Sequence, residues 1–156
     1  MRGRGAGLLY GTAAAVYVAD RLSKAWAERA LADGGPIEVL PGLLALRLTR
    51  NTGGAFSLGR EVPAFFALAT LAIGIAILAV SLRGHAPAVA IPLGSILGGA
   101  FGNFTDRVAN GPALAGAVTD FLDIRIIPVF NVADCGIVLG AIALVLVSLR
   151  EPRTER

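Results

Sequence analysis

The sequence predicts a polytopic α-helical membrane protein with four transmembrane helices and a small β-structure on the outer face. Of its 156 residues, 55% are hydrophobic and 16% are charged, whereas about 25% are charged in a typical soluble domain. The mean hydropathy is +0.71. Apolar segments recur along the chain at close to the length of about 20 residues that spans a bilayer. This composition argues against a soluble globule and against a disordered chain.

Four apolar segments predict the helices, all within a single membrane domain. Residues 62–82 and 86–105 carry no charge, and two shorter uncharged segments lie before Asp20 and after Asp134. The segment 62–82 also lacks the polar face that a helix in a soluble bundle would need. We assign the spans to residues 6–26, 62–82, 87–106 and 129–149.

The first segment has an alternative interpretation as a cleaved signal peptide. Arg2 and Arg4 precede it, and Ala25-Trp26-Ala27 resembles a cleavage site. The charged pair Asp20-Arg21, just ahead of that site, argues against cleavage.

Basic residues near the ends of the spans predict their orientation. Arg2 precedes the first span, Arg83 lies in the short link after the second, and Arg150 follows the fourth. Because cytoplasmic segments carry an excess of basic residues, we expect both termini and this link to be cytoplasmic. Residues 27–61 and 107–128 then form two outer regions.

The first outer region carries a strand signal. Between Leu44 and Leu48, leucine occupies every second position, which is the period of a half-buried strand. The pairs Pro41-Gly42 and Gly53-Gly54 are typical of turns on either side. We therefore expect a small sheet on the outer surface. The second outer region carries a turn signal at Asn110-Gly111-Pro112.

Polar residues in and beside the spans are predicted to converge at the outer face, because consecutive helices alternate in direction. Ionisable residues inside membrane spans are costly and are functional candidates by default. The residues that converge in this way are Asp20, Asn51, Asn103, Asp106, Asn131 and Asp134.

Sequence spacing suggests partners for some of these charges. Asp20 and Lys24 are four residues apart, as in a helical ion pair, and Asp106 with Arg107 is interpreted as a second pair or as a snorkelling helix end. Small residues at every fourth position lead to Asp106 and would hold it against a neighbouring helix. These residues are Gly94, Gly98 and Gly102.

Asp120 and Asp134 have no obvious basic partner in the sequence. Two unpaired carboxylates near a low-dielectric boundary suit general acid–base chemistry, in which one stays ionised and the other keeps its proton. Asp123 and Arg125, which lie close to Asp120, are interpreted as a solvated charge pair.

Five blocks of the sequence resemble the lipoprotein signal peptidases (signal peptidase II), which are bacterial intramembrane aspartyl endopeptidases with four transmembrane helices. They follow the family order at compatible spacing across nearly the whole chain. Gly54, Arg21 and Ser23 differ from the usual family residues. The blocks are Asp20-Arg21-Leu22-Ser23-Lys24, Asn51-Thr52-Gly53-Gly54-Ala55-Phe56-Ser57, Gly98-Gly99-Ala100-Phe101-Gly102-Asn103-Phe104-Thr105-Asp106-Arg107, Val118-Thr119-Asp120-Phe121 and Phe130-Asn131-Val132-Ala133-Asp134.

The resemblance implies that Asp120 and Asp134 form the catalytic pair, with Asp20 and Lys24 as structural support. It implies no metal and no cofactor. The residues that it implies bind substrate or shape the site are Asn51, Gly53, Asn103, Asp106, Arg107, Asn131 and Ala133.

The reaction implied by the resemblance is removal of the signal peptide from a prolipoprotein, by cleavage just before a cysteine that carries diacylglyceryl. The implied partners are this lipid-modified substrate and membrane lipid. The implied location is the bacterial inner membrane, with the active site at the outer, periplasmic face. We expect a monomer, although no sequence feature fixes the oligomeric state. Nucleic-acid binding is not expected, because the basic residues form no cluster.

Two other functional classes stay open. The spacing of Gly116, Asp120 and Asp123 resembles the acidic end of the motif of CDP-alcohol phosphotransferases, which are metal-dependent, but is one residue short. Embedded carboxylates also serve proton-coupled transporters, although here they gather at one face. A Cys–His nucleophile is not expected, because Cys135 and His85 are predicted to lie at opposite faces.

Overall fold

The apolar segments fold as long helices, which satisfy their own backbone polar groups where no water is available. The computed structural model describes residues 2–53, 63–83 and 85–150. A 3₁₀ turn, Pro112–Leu114, lies in the second outer region. In chain order the helices and strands are α1 (Arg2–Ala30), β1 (Ile37–Leu40), β2 (Leu44–Asn51), α2 (Pro63–Ser81), α3 (Pro87–Ala109), β3 (Val118–Asp123) and α4 (Val132–Arg150).

Among the described residues, three helical segments are long and apolar enough to cross a membrane: Ala64–Ser81 within α2, Pro87–Ala109 and Val132–Arg150. The first helix, α1, is not among them, since charged side chains near both of its ends leave only residues 5–19 uncharged. Length and composition thus support three of the four predicted spans in the described part of the chain. The crossing by α1 stays a prediction.

Three helices differ from their predicted spans by about one turn at an end. Helix α3 runs to Ala109, three residues beyond the predicted 87–106. Helix α1 extends about one turn beyond residues 6–26 on each side. The fourth span was expected from residue 129, but α4 begins at Val132. Asn131 precedes that residue and caps the helix, which fixes its start.

The central helix is α3, which packs against α1, α2 and α4. Glycine permits its close approach to α1, because a Cβ on Gly98 would collide with the carbonyl oxygen of Ala13 and lie 2.9 Å from the Cβ of Val16. As the glycine spacing predicts, Asp106 in the last turn of α3 then meets α1, where it pairs with Lys24.

The three strands form an antiparallel sheet in the order β1-β2-β3, which confirms the predicted small sheet. The turn between β1 and β2 contains Gly42 with φ of 74°, a left-handed conformation that glycine adopts without strain. Gly53 lies in a bend after β2, whereas Gly54, the other half of the second predicted turn, lies outside the described residues.

No signal in the sequence predicted β3, which lies in the second outer region. Its side chains are buried on both faces of the sheet, so no polar–apolar alternation marks it. The register with β2 places Thr49 opposite Asp120 and Arg50 opposite Thr119. Strand β3 thereby brings Asp120 from the second outer region to the end of β2.

Candidate active site

Asp120 lies in β3, where two side-chain amides hold its carboxylate. The residue is only 2% exposed. Nδ2 of Asn131 donates to Oδ1 at 2.6 Å, and Nδ2 of Asn51 donates to Oδ2 at 3.0 Å. Asn51 is the last residue of β2, so the pairing of β2 with β3 brings these two side chains together.

Asp134 is held by the start of α4. Its main-chain N–H donates to Oδ1 of Asn131 at 2.9 Å, and its Oδ2 accepts the main-chain N–H of Asn131 at 3.2 Å. This reciprocal arrangement, with the acid three residues after the capping residue, is a capping box. The local sequence that begins the helix thus also fixes the position of the carboxylate.

Asn131 joins the two carboxylates into one site. It is fully buried, and it donates its side-chain amide to Asp120 and its main-chain amide to Asp134. The ion pairs among the described residues involve neither of these carboxylates. The sequence expectation that both lack a basic partner is therefore met in the described chain.

Asn103 of α3 orients the second carboxylate. Its Nδ2 donates to Oδ1 of Asp134 at 2.8 Å. Its Oδ1 accepts from Nζ of Lys24 at 3.0 Å and from Nδ2 of Asn131 at 3.1 Å. Because an ammonium can only donate, Lys24 fixes which end of the Asn103 amide faces Asp134.

A buried charge cluster lies behind the amides. Nζ of Lys24 is 2.8 Å from Oδ2 of Asp20 and 2.9 Å from Oδ2 of Asp106, and all three side chains are almost completely buried. The predicted pair of Asp20 with Lys24 is present. Arg21 also pairs with Asp106, which the sequence analysis missed. Buried charges of this kind contribute little net stability, and each is costly to leave without its partner.

The same cluster anchors the backbone on both sides of the site. Oδ1 of Asp20 accepts the main-chain N–H of Ala133 at 2.9 Å, next to Asp134. Oδ2 of Asp106 accepts the main-chain N–H of Thr119 at 3.1 Å, next to Asp120. Helices α1 and α3 therefore fix the main chain beside each of the two carboxylates.

Arg107 does not pair with Asp106, whose carboxylate pairs with Arg21 and Lys24, so the interpretation of these neighbours as an ion pair was wrong. Adjacent helical side chains diverge by about 100°, and Arg107 points away from α1. It is buried and donates to the main-chain oxygens of Thr52 at 3.1 Å and Gly116 at 2.9 Å, and also to that of Gly53. Arg107 thereby holds the chain that leaves β2.

Asp123 and Arg125 do not form the solvated charge pair that the sequence suggested. Asp123 is buried, with Oδ2 lying 3.2 Å from Nε of Arg47 in β2. Arg125 contributes only its main-chain N–H to Asp123, at 3.0 Å, while its guanidinium pairs with Glu38. The antiparallel pairing of β2 with β3 places Arg47 beside Asp123. The two residues are far apart in the sequence, so local spacing could not predict this contact.

Thr119, Glu28 and Arg50 form a further polar group beside Asp120 that the sequence analysis missed. The hydroxyl of Thr119 bonds to both of the other side chains. Glu28 is 91 residues from Thr119, so no local spacing could have signalled the contact.

The pKa of Asp120 is raised to about 7. Burial is the largest cause, and the nearby charge of Asp134 adds to it, while the hydrogen bonds from Asn51 and Asn131 act in the opposite direction. A carboxyl with such a pKa holds its proton close to neutral pH and releases it readily, which suits a general acid.

The fold and the site together define a class of protein, namely a helical membrane protein with two carboxylates joined through one asparagine, one in a small sheet and one at the start of a helix. The profile of the family described as "Signal peptidase (SPase) II" matches residues 12–150. The chain belongs to this signal peptidase II family, and it is therefore a peptidase.

Relatives of known name agree with this family. The chain is 38% identical to the lipoprotein signal peptidase of Rhodococcus jostii (strain RHA1) over 143 residues, covering 91% of this chain and 72% of that protein. It is 36% identical to the lipoprotein signal peptidase of Streptomyces coelicolor over 144 residues, covering 92% of this chain and 71% of the relative.

Solved structures agree as well. A bacterial membrane enzyme determined by the in meso method at 2.3 Å superposes with a TM-score of 0.83 at 27% identity, covering 96% of this chain and 94% of that one. A second, determined at 1.9 Å, gives a TM-score of 0.77 at 28% identity, covering 94% and 95%.

Proposed function

We propose that this protein is an aspartyl endopeptidase that removes the signal peptide from prolipoproteins, cutting just before the diacylglyceryl-modified cysteine. The relatives named lipoprotein signal peptidase support the substrate class. The observation that carries the aspartyl assignment is the pair of carboxylates, Asp120 and Asp134, linked through Asn131 and free of ion pairs with the described basic residues.

In the proposed mechanism, a water molecule between the two carboxyls attacks the carbonyl carbon of the scissile peptide bond. Asp134 takes a proton from the water, and protonated Asp120 donates its proton to the carbonyl oxygen. When the carbon–nitrogen bond breaks, Asp134 passes its proton to the leaving amine. Asp120 recovers a proton from the hydroxyl that becomes the new carboxyl oxygen, so both groups return to their starting states.

The assignment of the two roles rests on the environment of each carboxyl. The raised pKa of Asp120 favours the protonated form near neutral pH. Asp134 lies in the first turn of α4 and accepts main-chain and side-chain N–H groups. The positive end of the helix dipole favours a carboxylate there. We therefore assign Asp134 as the base and Asp120 as the acid.

The remaining predicted site residues take positioning or contact roles in this proposal. Lys24, Asp20 and Asp106 hold the two stretches of main chain next to the dyad, including Ala133. The amides beside the carboxyls also lie where substrate peptide groups would bind, as does the chain held by Arg107. The residues to which we assign substrate contact or site shaping are Asn51, Gly53, Asn103, Asp106, Arg107, Asn131 and Ala133.

We further propose that α1 also crosses the membrane, which makes four spans in all, with both termini in the cytoplasm and the dyad at the outer face of the bacterial inner membrane. The charges of Asp20 and Lys24 are paired and fully buried, so they would not meet lipid. Val18, Leu22 and Trp26 on the same helix are exposed, as expected for side chains that contact lipid tails. We expect the protein to act as a monomer on its lipid-modified substrate.

The experiment that tests this function is cleavage of a prolipoprotein by purified protein in detergent, with and without diacylglyceryl on the cysteine. Acyl chains partition into the micelle and hold the scissile bond at the depth of the dyad. We expect the unlipidated precursor to be cut more slowly, by more than about tenfold, since each buried CH₂ contributes about 0.8 kcal/mol to that partitioning. Equal rates for the two precursors would contradict the prolipoprotein assignment.

A chelator arm of the same experiment separates the proposal from the transferase class. Carboxylates and amides can hold Mg²⁺, but the proposed dyad acts on water directly, so cleavage should proceed unchanged in EDTA. Loss of cleavage in EDTA with recovery on adding Mg²⁺ would favour the metal-dependent alternative.

A further inference from the structure

Thr119, next to Asp120 in β3, is fully buried, and its hydroxyl both donates and accepts a hydrogen bond. Oγ1 donates to Oε1 of Glu28 at 2.7 Å and accepts from Nη1 of Arg50 at 2.7 Å. Glu28 and Arg50 also form an ion pair, with 2.9 Å between Oε1 and Nη1, at the partly exposed edge of the site. The three side chains form a closed triangle, which we call the Thr119 triangle.

The strand register connects this triangle to the dyad. Arg50 and Thr119 are directly paired across β2 and β3. The next residues along the same strands, Asn51 and Asp120, are the two whose side chains bond at 3.0 Å. Because consecutive side chains in a strand point to opposite faces, Thr119 reaches away from the dyad and affects it only through the main chain.

Three elements converge on Thr119. Helix α1 supplies Glu28, strand β2 supplies Arg50, and α3 supplies Asp106, which accepts the Thr119 main-chain N–H at 3.1 Å. Glu28 lies one helical turn beyond Lys24, the residue that orients Asn103 and through it Asp134. The C-terminal half of α1 therefore contacts both sides of the dyad. Glu28 bonds to Thr119, the neighbour of Asp120, and Lys24 bonds to Asn103, which donates to Asp134.

We propose that Glu28, Thr119 and Arg50 are positioning residues, which set the location of Asp120 and Asn51 relative to Asp134. This inference rests on the proposed dyad. None of the three touches the carboxyls, so their removal should affect the chemical step and leave substrate binding intact. Misplacement of a reacting group by about 1 Å can lower a rate by as much as about 100-fold.

The test measures kcat and KM for lipidated prolipoprotein with Thr119→Val, which removes the hydroxyl and keeps the side-chain shape. We expect kcat to fall about tenfold with KM within about twofold of the parent value. Thr119→Ser restores the hydroxyl and should recover most of kcat. Glu28→Gln weakens the same bond from a partly exposed position, so it tests the proposal even if the buried Thr119→Val fails to fold.

A matched control lies in the same two strands. Arg47 and Asp123 also join β2 to β3, with 3.2 Å between Nε and Oδ2, several residues away from the dyad. Arg47→Gln removes that ion pair and should leave kcat unchanged. An equal fall in kcat for Arg47→Gln and Thr119→Val would mean that any weakening of the sheet lowers the rate, and the positioning role would be wrong.

A double-variant comparison and an Asp120 variant complete the test. If the triangle acts as a unit, Glu28→Gln should add little to the loss caused by Thr119→Val, and fully additive losses would count against it. Parent-level kcat in Thr119→Val, with Asp120→Asn inactive, would overturn the positioning role alone. Full turnover by Asp120→Asn would instead overturn the proposed dyad, and the triangle's role with it.

Discussion

Asn131 is the residue on which the two carboxyls depend most directly. It caps α4, donates to Asp120 and accepts from Asp134, and it is fully buried. An asparagine at a helix start is common because its side chain satisfies free N–H groups. Here the carboxamide oxygen makes the cap, and the NH2 group of the same side chain donates to Asp120 and to Asn103.

Protonation of Asp120 should be visible in the stability of the protein. In the folded state its pKa is about 7, whereas an unfolded Asp titrates near pH 3.9. Between those values the folded state binds more protons than the unfolded state, so stability falls as pH rises. Asp120→Asn removes this dependence, and its melting temperature should gain on the parent as pH is raised from 5 to 8.

This gain is measured by thermal unfolding of both proteins in detergent across that pH range. A constant offset between the two melting curves would reflect only the changed hydrogen bonds. A melting temperature of Asp120→Asn that falls relative to the parent as pH rises would contradict the raised pKa.

Close packing of α1 against α3 is the central feature at the scale of elements. It brings the buried cluster of Asp20, Lys24 and Asp106 together, and it depends on small residues in α3. The packing could be predicted from the glycine spacing, because helices in membranes approach where side chains are small. The partners of Asp106 could not be predicted in this way. Arg107 is its neighbour in the sequence, and only the folded structure shows that Lys24 and Arg21 pair with Asp106 instead.

Gly98→Val should destabilise the protein by about 1–3 kcal/mol, the usual cost of overpacking. The new side chain would meet the main-chain oxygen of Ala13, which cannot rotate away. Gly11→Ala in α1 is the control, because a Cβ there meets nothing within 4 Å. Melting temperatures in detergent check the pair, and equal effects at the two positions would contradict this account of the packing.

Strand β3 marks the limit of prediction from sequence at this scale. The alternation between Leu44 and Leu48 identified β2, most of whose side chains are only partly buried. In β3 both faces are covered, so the hydropathy pattern carries no period. The sequence could assign Asp120 to an outer region but could not give its partners, because Asn51 reaches it through the strand register and Asn131 through the start of α4.

At the scale of the whole molecule, the alternating directions of the helices explain why the polar residues share one end. The sequence could predict this convergence because it needs only the order and length of the spans. It could not predict how the charges are distributed among partners: a lysine enclosed by two carboxylates, an arginine bonded to main-chain oxygens, and two carboxyls held by amides alone.

The proposed orientation predicts accessibility at the two ends. With Cys135→Ser as background, a single cysteine at Arg83 should label from the cytoplasmic side and one at Ala113 from the outer side, since both positions are exposed. A membrane-impermeant thiol reagent on intact and on permeabilised cells makes the distinction. Labelling of both positions from the same side would contradict the convergence of the polar residues at the outer face.

The central claim is that Asp120 and Asp134 act together as the catalytic pair. The most direct test is turnover of lipidated prolipoprotein by Asp120→Asn, Asp134→Asn and the double variant, with Asp123→Asn as the control from the same strand. Each single variant should lose about 1,000-fold or more, because an amide can neither take nor supply the proton. The double variant should be little worse, as for residues that act as a unit.

All of these variants should still fold and bind the lipidated substrate, and Asp123→Asn should keep most of its activity because its partner is Arg47. Substantial turnover by Asp120→Asn or Asp134→Asn, or an inactive Asp123→Asn beside an active Asp120→Asn, would contradict the assignment.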